Sequence, residues 1–164
     1  MAEIRVRPTE AGDLDTLLDI YEAVAAEGRH IAGEAPVDRP ARRARWLALV
    51  EGKTPGCSLV AEVGGELVGQ AGLTGEDLLD FGMLVAAPWR GKGVGTKLVE
   101  AAIDWARASG AYKITLEVWP HNEAALALYE KHGFVREGYL HKQWRRRNGE
   151  LWDSVLMGLV LDDP

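Results

Sequence analysis

Cysteine is nearly missing from this chain: Cys57 is its single example in 164 residues. One thiol excludes an intramolecular disulfide framework and suits a reducing compartment. Cys57 reads either as a nucleophile or as a small, partly buried residue just before a strand. No histidine partner is placed for it by the sequence, which favours the second reading. Apolar runs of membrane-spanning length are also missing. The N-terminus carries Glu3, Arg5 and Arg7 where a signal peptide needs an apolar stretch, so the expected location is cytoplasmic, with no membrane partner. An excess of positive charge is lacking too. Nineteen Lys and Arg stand against 25 Asp and Glu, for a net charge of −6, which argues against a general nucleic-acid binder. There are no repeats, no low-complexity segment and no expected metal site. Hydrophobic residues make up 47% of the chain and its length suits one domain, residues 1–164, with a substantial core.

Glycine is plentiful, and its placement matters most at Arg90-Gly91-Lys92-Gly93-Val94-Gly95-Thr96. An apolar run ending at Val85 precedes this stretch, and an amphipathic segment to about Ser109 follows. Three glycines in five residues let the backbone turn sharply and approach a ligand closely. The first helical turn leaves its N–H groups unpaired at the positive end of the helix dipole. The combination predicts a site for phosphate or pyrophosphate, with Arg90 and Lys92 at its rim. The spacing fits neither G-x-G-x-x-G nor G-x-x-x-x-G-K-[ST]. It fits R-x-x-G-x-G, on Arg90, Gly93 and Gly95. A glycine-rich connection that binds nothing is the competing reading.

Periodicity predicts the remaining elements. Ile4 and Val6 alternate with charged residues in a short strand ended by Pro8 and Thr9. Thr9 or Asp13 caps a helix with Leu14, Leu17, Leu18, Tyr21, Val24 and Ala25 on one face, closed by Gly28. Residues 28 to 37 are a loop. A second helix starts at Asp38, with Pro40 in its first turn, and buries Trp46, Leu47 and Val50. A meander follows: a strand with Leu59, Ala61 and Val63, a Gly64-Gly65 turn, a strand from Leu67 to Leu73, and a third from Leu78 to Val85. The helix after the glycine loop buries Val94, Leu98, Ala101, Ala102 and Trp105. Lys113 to Trp119 is a strand. Asn122 caps a helix that turns Ala125, Leu128 and Tyr129 inward. Phe134 to Arg147 is a long bent strand, Asn148-Gly149 a hairpin turn, and Leu151 to Leu161 the last strand. The order β α α β β β α β α β β describes one mixed sheet of about seven strands with four helices, an α/β (α+β) fold. Only the strands flanking the 93–109 helix need run parallel. If they do, the sheet can open between them and admit an extended ligand arm.

A second motif runs from Asn122 to Phe134: N-x-x-A-x-x-L-Y-x-x-x-G-F. Together the two motifs resemble the acetyl-CoA loop and the Asn-to-Gly-Phe segment of the GNAT superfamily of N-acetyltransferases, in that family's order. The resemblance covers about Ile4 to Leu161. The Glu117 region resembles the ribosomal-protein alanine acetyltransferases, and Trp152 to Leu159 resembles the amino-acid and phosphinothricin-type enzymes.

The resemblance implies acetyl-CoA as cosubstrate and a small-molecule amine or a peptide N-terminus as acceptor, and it leaves room for a homodimer. It implies that N–H groups of Lys92, Gly93, Gly95 and Thr96, in the turn that includes Gly91 and Val94, hold the pyrophosphate while Arg90 closes the loop. The main chain of Leu84 and Val85 pairs with the pantetheine arm, and Asn122 contacts that arm. Tyr129 serves as acid to the leaving thiolate; an aromatic on a buried helix face is otherwise core. Glu117 serves as base, against the reading of a solvated sheet position. Asp80 and Glu34 are the other base candidates, Glu34 bordering the acceptor site. Pro88 stands one place nearer Arg90 than is usual in the family.

Amine acetylation needs these residue types. An ammonium with a pKa near ~10 must lose its proton, the tetrahedral intermediate needs donors for its oxyanion, and the thiolate needs a proton. Trp119 and Arg145 complete the candidate acceptor contacts. Arg145-Arg146-Arg147, beside Trp144 and Trp152, read either as a basic, aromatic rim for a carboxylate or as a solvated hairpin tip. Two other classes remain open: a silent CoA-binding module and a nucleotide-binding regulator.

Overall fold

The computed structural model describes residues 2–161. One seven-stranded sheet runs in the order β1-β2-β3-β4-β5-β7-β6. Its strands are β1 (Ile4–Pro8), β2 (Gly56–Val63), β3 (Glu66–Thr74), β4 (Leu78–Val85), β5 (Lys113–Val118), β6 (Val135–Arg145) and β7 (Leu151–Val160). The helices are α1 (Leu14–Glu27), α2 (Arg39–Val50), α3 (Val94–Ser109) and α4 (Glu123–Lys131). The fold class and element order are those the periodicity and the resemblance led us to expect.

Two apolar clusters cover the two faces of the sheet. α1 and α2 pack with Val60 and Leu84 on one face, through Leu14, Leu17, Leu18, Tyr21 and Trp46. α3 and α4 pack on the other, where Leu98, Ala102, Leu126 and Tyr129 meet Leu79, Phe81 and Leu116. Gly28, with φ 67°, ends α1 in the left-handed conformation that costs glycine little.

Local details depart from expectation. Thr9 caps no helix; its hydroxyl meets Ser58 Oγ at 2.7 Å inside the protein. Ahead of α1 lies a 3₁₀ turn, Ala11–Asp13, where Asp13 accepts from the Glu10 N–H and is held by Arg7. Leu126 rather than Ala125 is the fully buried partner of Tyr129 on α4. β6 stops at Arg145 and shifts register twice against β7, with Lys142 at φ 52°. Those irregularities re-aim the hairpin, as bulges do.

β4 and β5 are the parallel pair. Their register covers three positions and ends at Asp80–Thr115. Beyond that point the strands separate, and the sheet opens between Phe81–Val85 and Leu116–Val118.

Candidate active site

A cleft of about 910 Å³ occupies this opening. It reaches both faces of the sheet. The α3/α4 side presents Gly91, Gly93, Gly95, Asn122 and Tyr129, and the α1/α2 side presents Gln70, Asp80, Glu117, Trp119 and Arg42.

Register decides which β4 main-chain groups face the gap. Ala86 N–H donates to Val68 O on the β3 side. Main-chain groups alternate sides along a strand. Leu84 therefore bonds toward β3, while Phe81, Met83 and Val85 turn their N–H and C=O toward the opening. Unpaired edge groups of this kind are a template for an added strand. Val85 O is already taken by Arg90 Nε at 3.1 Å, so Met83 and the Val85 N–H remain free for the arm that the sequence placed at Leu84 and Val85.

Behind the strand lies the glycine turn. Gly91 and Gly93 have φ 71° and 89°, and Gly93 is the N-cap of α3. A Cβ on Gly93 would stand 3.8 Å from Ile4 Cδ1, so its need for glycine is conformational. Gly95 is needed for contact: a Cβ there would lie 3.1 Å from Leu128 Cδ2. Val94 packs into the core, and Thr96 lines the cleft. The first-turn N–H groups of α3 are those an oxyanion can use. Lys92 Nζ lies over the Trp89 ring, 5.2 Å from its centroid. Arg90 donates two bonds of 2.7 Å to Glu27 at the end of α1, and it reaches His30 Nε2 at 3.1 Å. Burial first, and Arg90's charge second, hold His30 below the usual histidine range, so its ring is the acceptor there.

Asn122 accepts from Ala125 N–H at 3.3 Å as the N-cap of α4, and the residue lines the cleft. Tyr129 is 7% exposed, edge-on to Phe81 at 6.0 Å. Burial pushes its phenol well above the ordinary tyrosine value.

Two carboxylates stand on the opposite face. Glu117 is exposed to the cleft and accepts from Trp144 Nε1 at 3.2 Å. Asp80 opens on solvent but is ringed by protein atoms. Desolvation first, and the Glu117 charge second, raise its carboxyl above the usual range. Cys57 lies outside the cleft, and burial lifts its thiol to about 11, which keeps it protonated and inert at neutral pH.

The arginine hairpin is divided. Arg146 is 4% exposed, its guanidinium lying between Trp119 at 5.1 Å and Trp152 at 4.4 Å. Its Nη1 donates to Ala32 O at 2.9 Å. Arg147 donates its N–H to Glu34 Oε2 at 3.1 Å and a guanidinium N–H to Pro36 O at 3.1 Å. Glu34 therefore sits in the 28–38 loop beneath the hairpin, outside the lining of the large cleft. Arg145 is exposed and also outside that lining. Sequence reading overlooked Tyr21, Arg42 and Arg45, which line the cleft from α1 and α2, and the buried Gln70. The signal available for Arg42 was its place one turn before Trp46, which puts it on the same face of α2, where its guanidinium lies over the Tyr21 and Trp46 rings.

The sheet, the split and the two motifs together define an acyl-CoA-type transferase site. The family model for the acetyltransferase (GNAT) family matches residues 17–134. The chain belongs to that family and is an N-acetyltransferase that takes its acetyl group from acetyl-CoA. It is 28% identical to the L-amino acid N-acetyltransferase AaaT of Escherichia coli, over 98% of this chain and 99% of that protein. It is 32% identical to the N-alpha-acetyltransferase RimI of Mycobacterium tuberculosis, over 96% of each. A solved ribosomal-protein-alanine N-acetyltransferase from Brucella melitensis superposes with a TM-score of 0.87 at 27% identity, covering 96% of this chain and 99% of that one. Among the described residues, no helix is long and apolar enough to cross a membrane, and no cluster of His, Cys, Asp and Glu could hold a metal ion.

Proposed function

We propose that the acceptor is the α-amine of a free amino acid or amino-acid analogue. The observation that carries this reading is the latch over the acceptor side. Arg146 and Arg147 fasten the β6–β7 hairpin to the 28–38 loop through Ala32, Glu34 and Pro36. His121 adds a bond to Arg29 O at 2.9 Å. A protein N-terminus needs an open groove along which its chain can leave, and this latch crosses that path. Arg42 and Arg45 on α2 supply cations for a substrate carboxylate. The likeness to an L-amino acid acetyltransferase supports the same class.

In this reading the pyrophosphate of acetyl-CoA rests on N–H groups between Lys92 and Thr96, in the turn that includes Gly91 and Val94, while Arg90 braces the turn through Glu27. The pantetheine arm pairs with the Met83 and Val85 edge of β4 and meets the Asn122 amide. The acceptor enters from the α1/α2 face, between Asp80, Trp119 and the arginines of α2. Glu117 takes the proton of its ammonium through water, with Asp80 as the neighbouring carboxylate. The neutral amine attacks the thioester carbonyl through the gap between β4 and β5. N–H groups of the β4 edge stabilise the oxyanion; as the C–S bond breaks, Tyr129 gives its proton to the departing thiolate, and the second proton of the attacking nitrogen leaves through water and restores the phenol.

Thiol release from acetyl-CoA tests the acceptor class against free amino acids, their amides and short peptides. The expected order places free amino acids first, with amidation of the carboxylate raising KM. A higher kcat/KM on peptides than on every free amino acid would overturn the reading.

A further inference from the structure

Two glycines face each other across β3 and β4. Gly72 and Gly82 are register partners on the α1/α2 face of the sheet, between the pairs Gln70–Leu84 and Thr74–Asp80. Neither glycine is required by its backbone, since both lie in extended strand. A Cβ on Gly82 would meet nothing within 4 Å, and one on Gly72 would meet only Gln70 Nε2, at 3.5 Å, and Cys57 O, at 4.0 Å. The missing side chains therefore leave a trough in the floor of the cleft. Glycine weakens a strand interior and marks a place where something approaches the backbone closely.

The trough has a polar wall at each end. Asp80 stands at one end. At the other is Gln70, 5% exposed and held from behind. Its Nε2 donates to Ser58 Oγ at 3.0 Å, and Ser58 Oγ meets Thr9 Oγ1 at 2.7 Å. Ser58 and Thr9 are each 6% exposed. Among the described residues, the one side-chain polar atom both sealed from solvent and unpartnered is Ser154 Oγ. The free carbonyl oxygen of Gln70 is therefore not sealed, and Gln70 lines the cleft. A buried chain of three polar side chains, anchored at Thr9 just past the end of β1, holds the Gln70 amide by its nitrogen and leaves its oxygen as the unpartnered acceptor.

We infer that Gly72 and Gly82 form the seat for the amine-bearing carbon of the acceptor, and that Gln70 Oε1 accepts a hydrogen bond from its amine. This rests on the acceptor class proposed above. Gln70 is thus a specificity determinant, and Ser58 is a positioning residue acting through it. With Gln70 and Asp80 at the two ends, the seat suits a primary amine on a carbon that bears a hydrogen, a carboxylate and a side chain, as in an α-amino acid. It disfavours secondary amines, which have one proton fewer to share and a group that needs more room.

Steady-state kinetics on Gln70→Leu, Ser58→Ala, Gly82→Ala and Gly82→Val tests this, with the amine that the wild-type protein uses best as acceptor. Gln70→Leu is expected to raise the acceptor KM about tenfold or more, the loss typical of a hydrogen bond to a charged group. Ser58→Ala should give a smaller rise. Gly82→Ala and Gly82→Val should raise the acceptor KM progressively with side-chain size. In all four the KM for acetyl-CoA should stay within about twofold. The Gly82 variants place their Cβ in open space, so they keep the test valid if Gln70→Leu folds poorly. Unchanged acceptor KM in Gly82→Val and in a folded Gln70→Leu would overturn the inference. If the wild-type protein prefers peptides, the proposed acceptor class fails, while the same ratios, measured with a peptide, still decide whether the glycine seat holds the amine.

Discussion

Arg90 and Glu27 meet through a pair of 2.7 Å hydrogen bonds that join the glycine turn to the last residue of α1. Both side chains are partly exposed, at 28% and 33%, so the pair contributes at most about 1 kcal/mol to stability. Its consequence is positional, because it holds the turn whose N–H groups must point together. Arg90→Gln and Glu27→Gln are each expected to raise the acetyl-CoA KM several-fold and to leave the acceptor KM alone. The Arg90 hydrogen bond holds the Glu27 carboxyl below the usual range. A depressed carboxylate contributes above its unfolded pKa, and that contribution is lost as pH falls through the folded value. The acetyl-CoA KM should therefore be flat through neutrality and rise only below about pH 4. Equal KM values in wild type and Glu27→Gln would show that the turn needs no brace.

Glu117 and Asp80 raise a different prediction. Glu117→Gln removes the proposed base and should cost roughly 10²–10⁴ in kcat/KM at neutral pH. The loss should shrink at high pH, where the amine is already neutral. It also removes the charge that helps raise Asp80, so any acid limb due to Asp80 should move to lower pH. A carboxyl raised in the folded state costs stability above its pKa, and that cost is relieved as pH falls. Asp80→Asn should thus be more stable than wild type at neutral pH, as thermal melts across pH would register. A Glu117→Gln protein with wild-type kcat/KM and an acid limb moved to lower pH would transfer the role to Asp80.

Tyr129→Phe keeps the ring against Phe81 and Phe134 and removes only the hydroxyl. It should lower kcat strongly while the acetyl-CoA KM and the melting temperature hold. Burial raises the phenol, so Tyr129 stays protonated through the ordinary assay range and should add no basic limb of its own. Full activity in Tyr129→Phe would leave the thiolate to depart without a side-chain acid.

Arg146 and Arg145 are neighbours with opposite expectations. Arg146→Ala removes a guanidinium held between two indoles and strands the Ala32 carbonyl. A loss of about 2–4 kcal/mol is expected, read as a lowered melting temperature. Arg146→Lys should rescue little of it, because an ammonium cannot stack as a plane while donating sideways. Arg145→Ala, at an exposed strand end, should stay within about 0.5 kcal/mol. The acceptor KM should rise in Arg146→Ala through the loosened loop and hold in Arg145→Ala.

Much of this protein is determined locally and was legible in its residues. The glycine turn, the caps at Gly28 and Asn122, the hairpin at Asn148-Gly149 and the order of elements each follow from a few adjacent positions. Such short-range preferences do not depend on the rest of the chain. The motifs carried the family for the same reason: a glycine turn that opens directly into a helix constrains neighbouring residues.

What remained illegible lies in partners far apart in sequence. Arg146 and Ala32 are 114 positions apart, and Arg90 and Glu27 are 63. Three consecutive arginines look alike in a sequence, and only packing shows that one is buried between tryptophans while another is free. Leu84 and Val85 both looked like residues whose main chain pairs with a ligand arm. The register of β3 on β4 assigns that edge to Met83 and Val85, since shifting by one residue reverses the side to which every N–H points. Gln70 looked like an ordinary polar position in an alternating strand. Its meaning comes from Ser58 and Thr9 behind it and from two glycines beside it, which only the paired sheet brings together. Short-range sterics write the elements into the chain, whereas the direction of a hydrogen bond across the sheet exists only once the strands have paired.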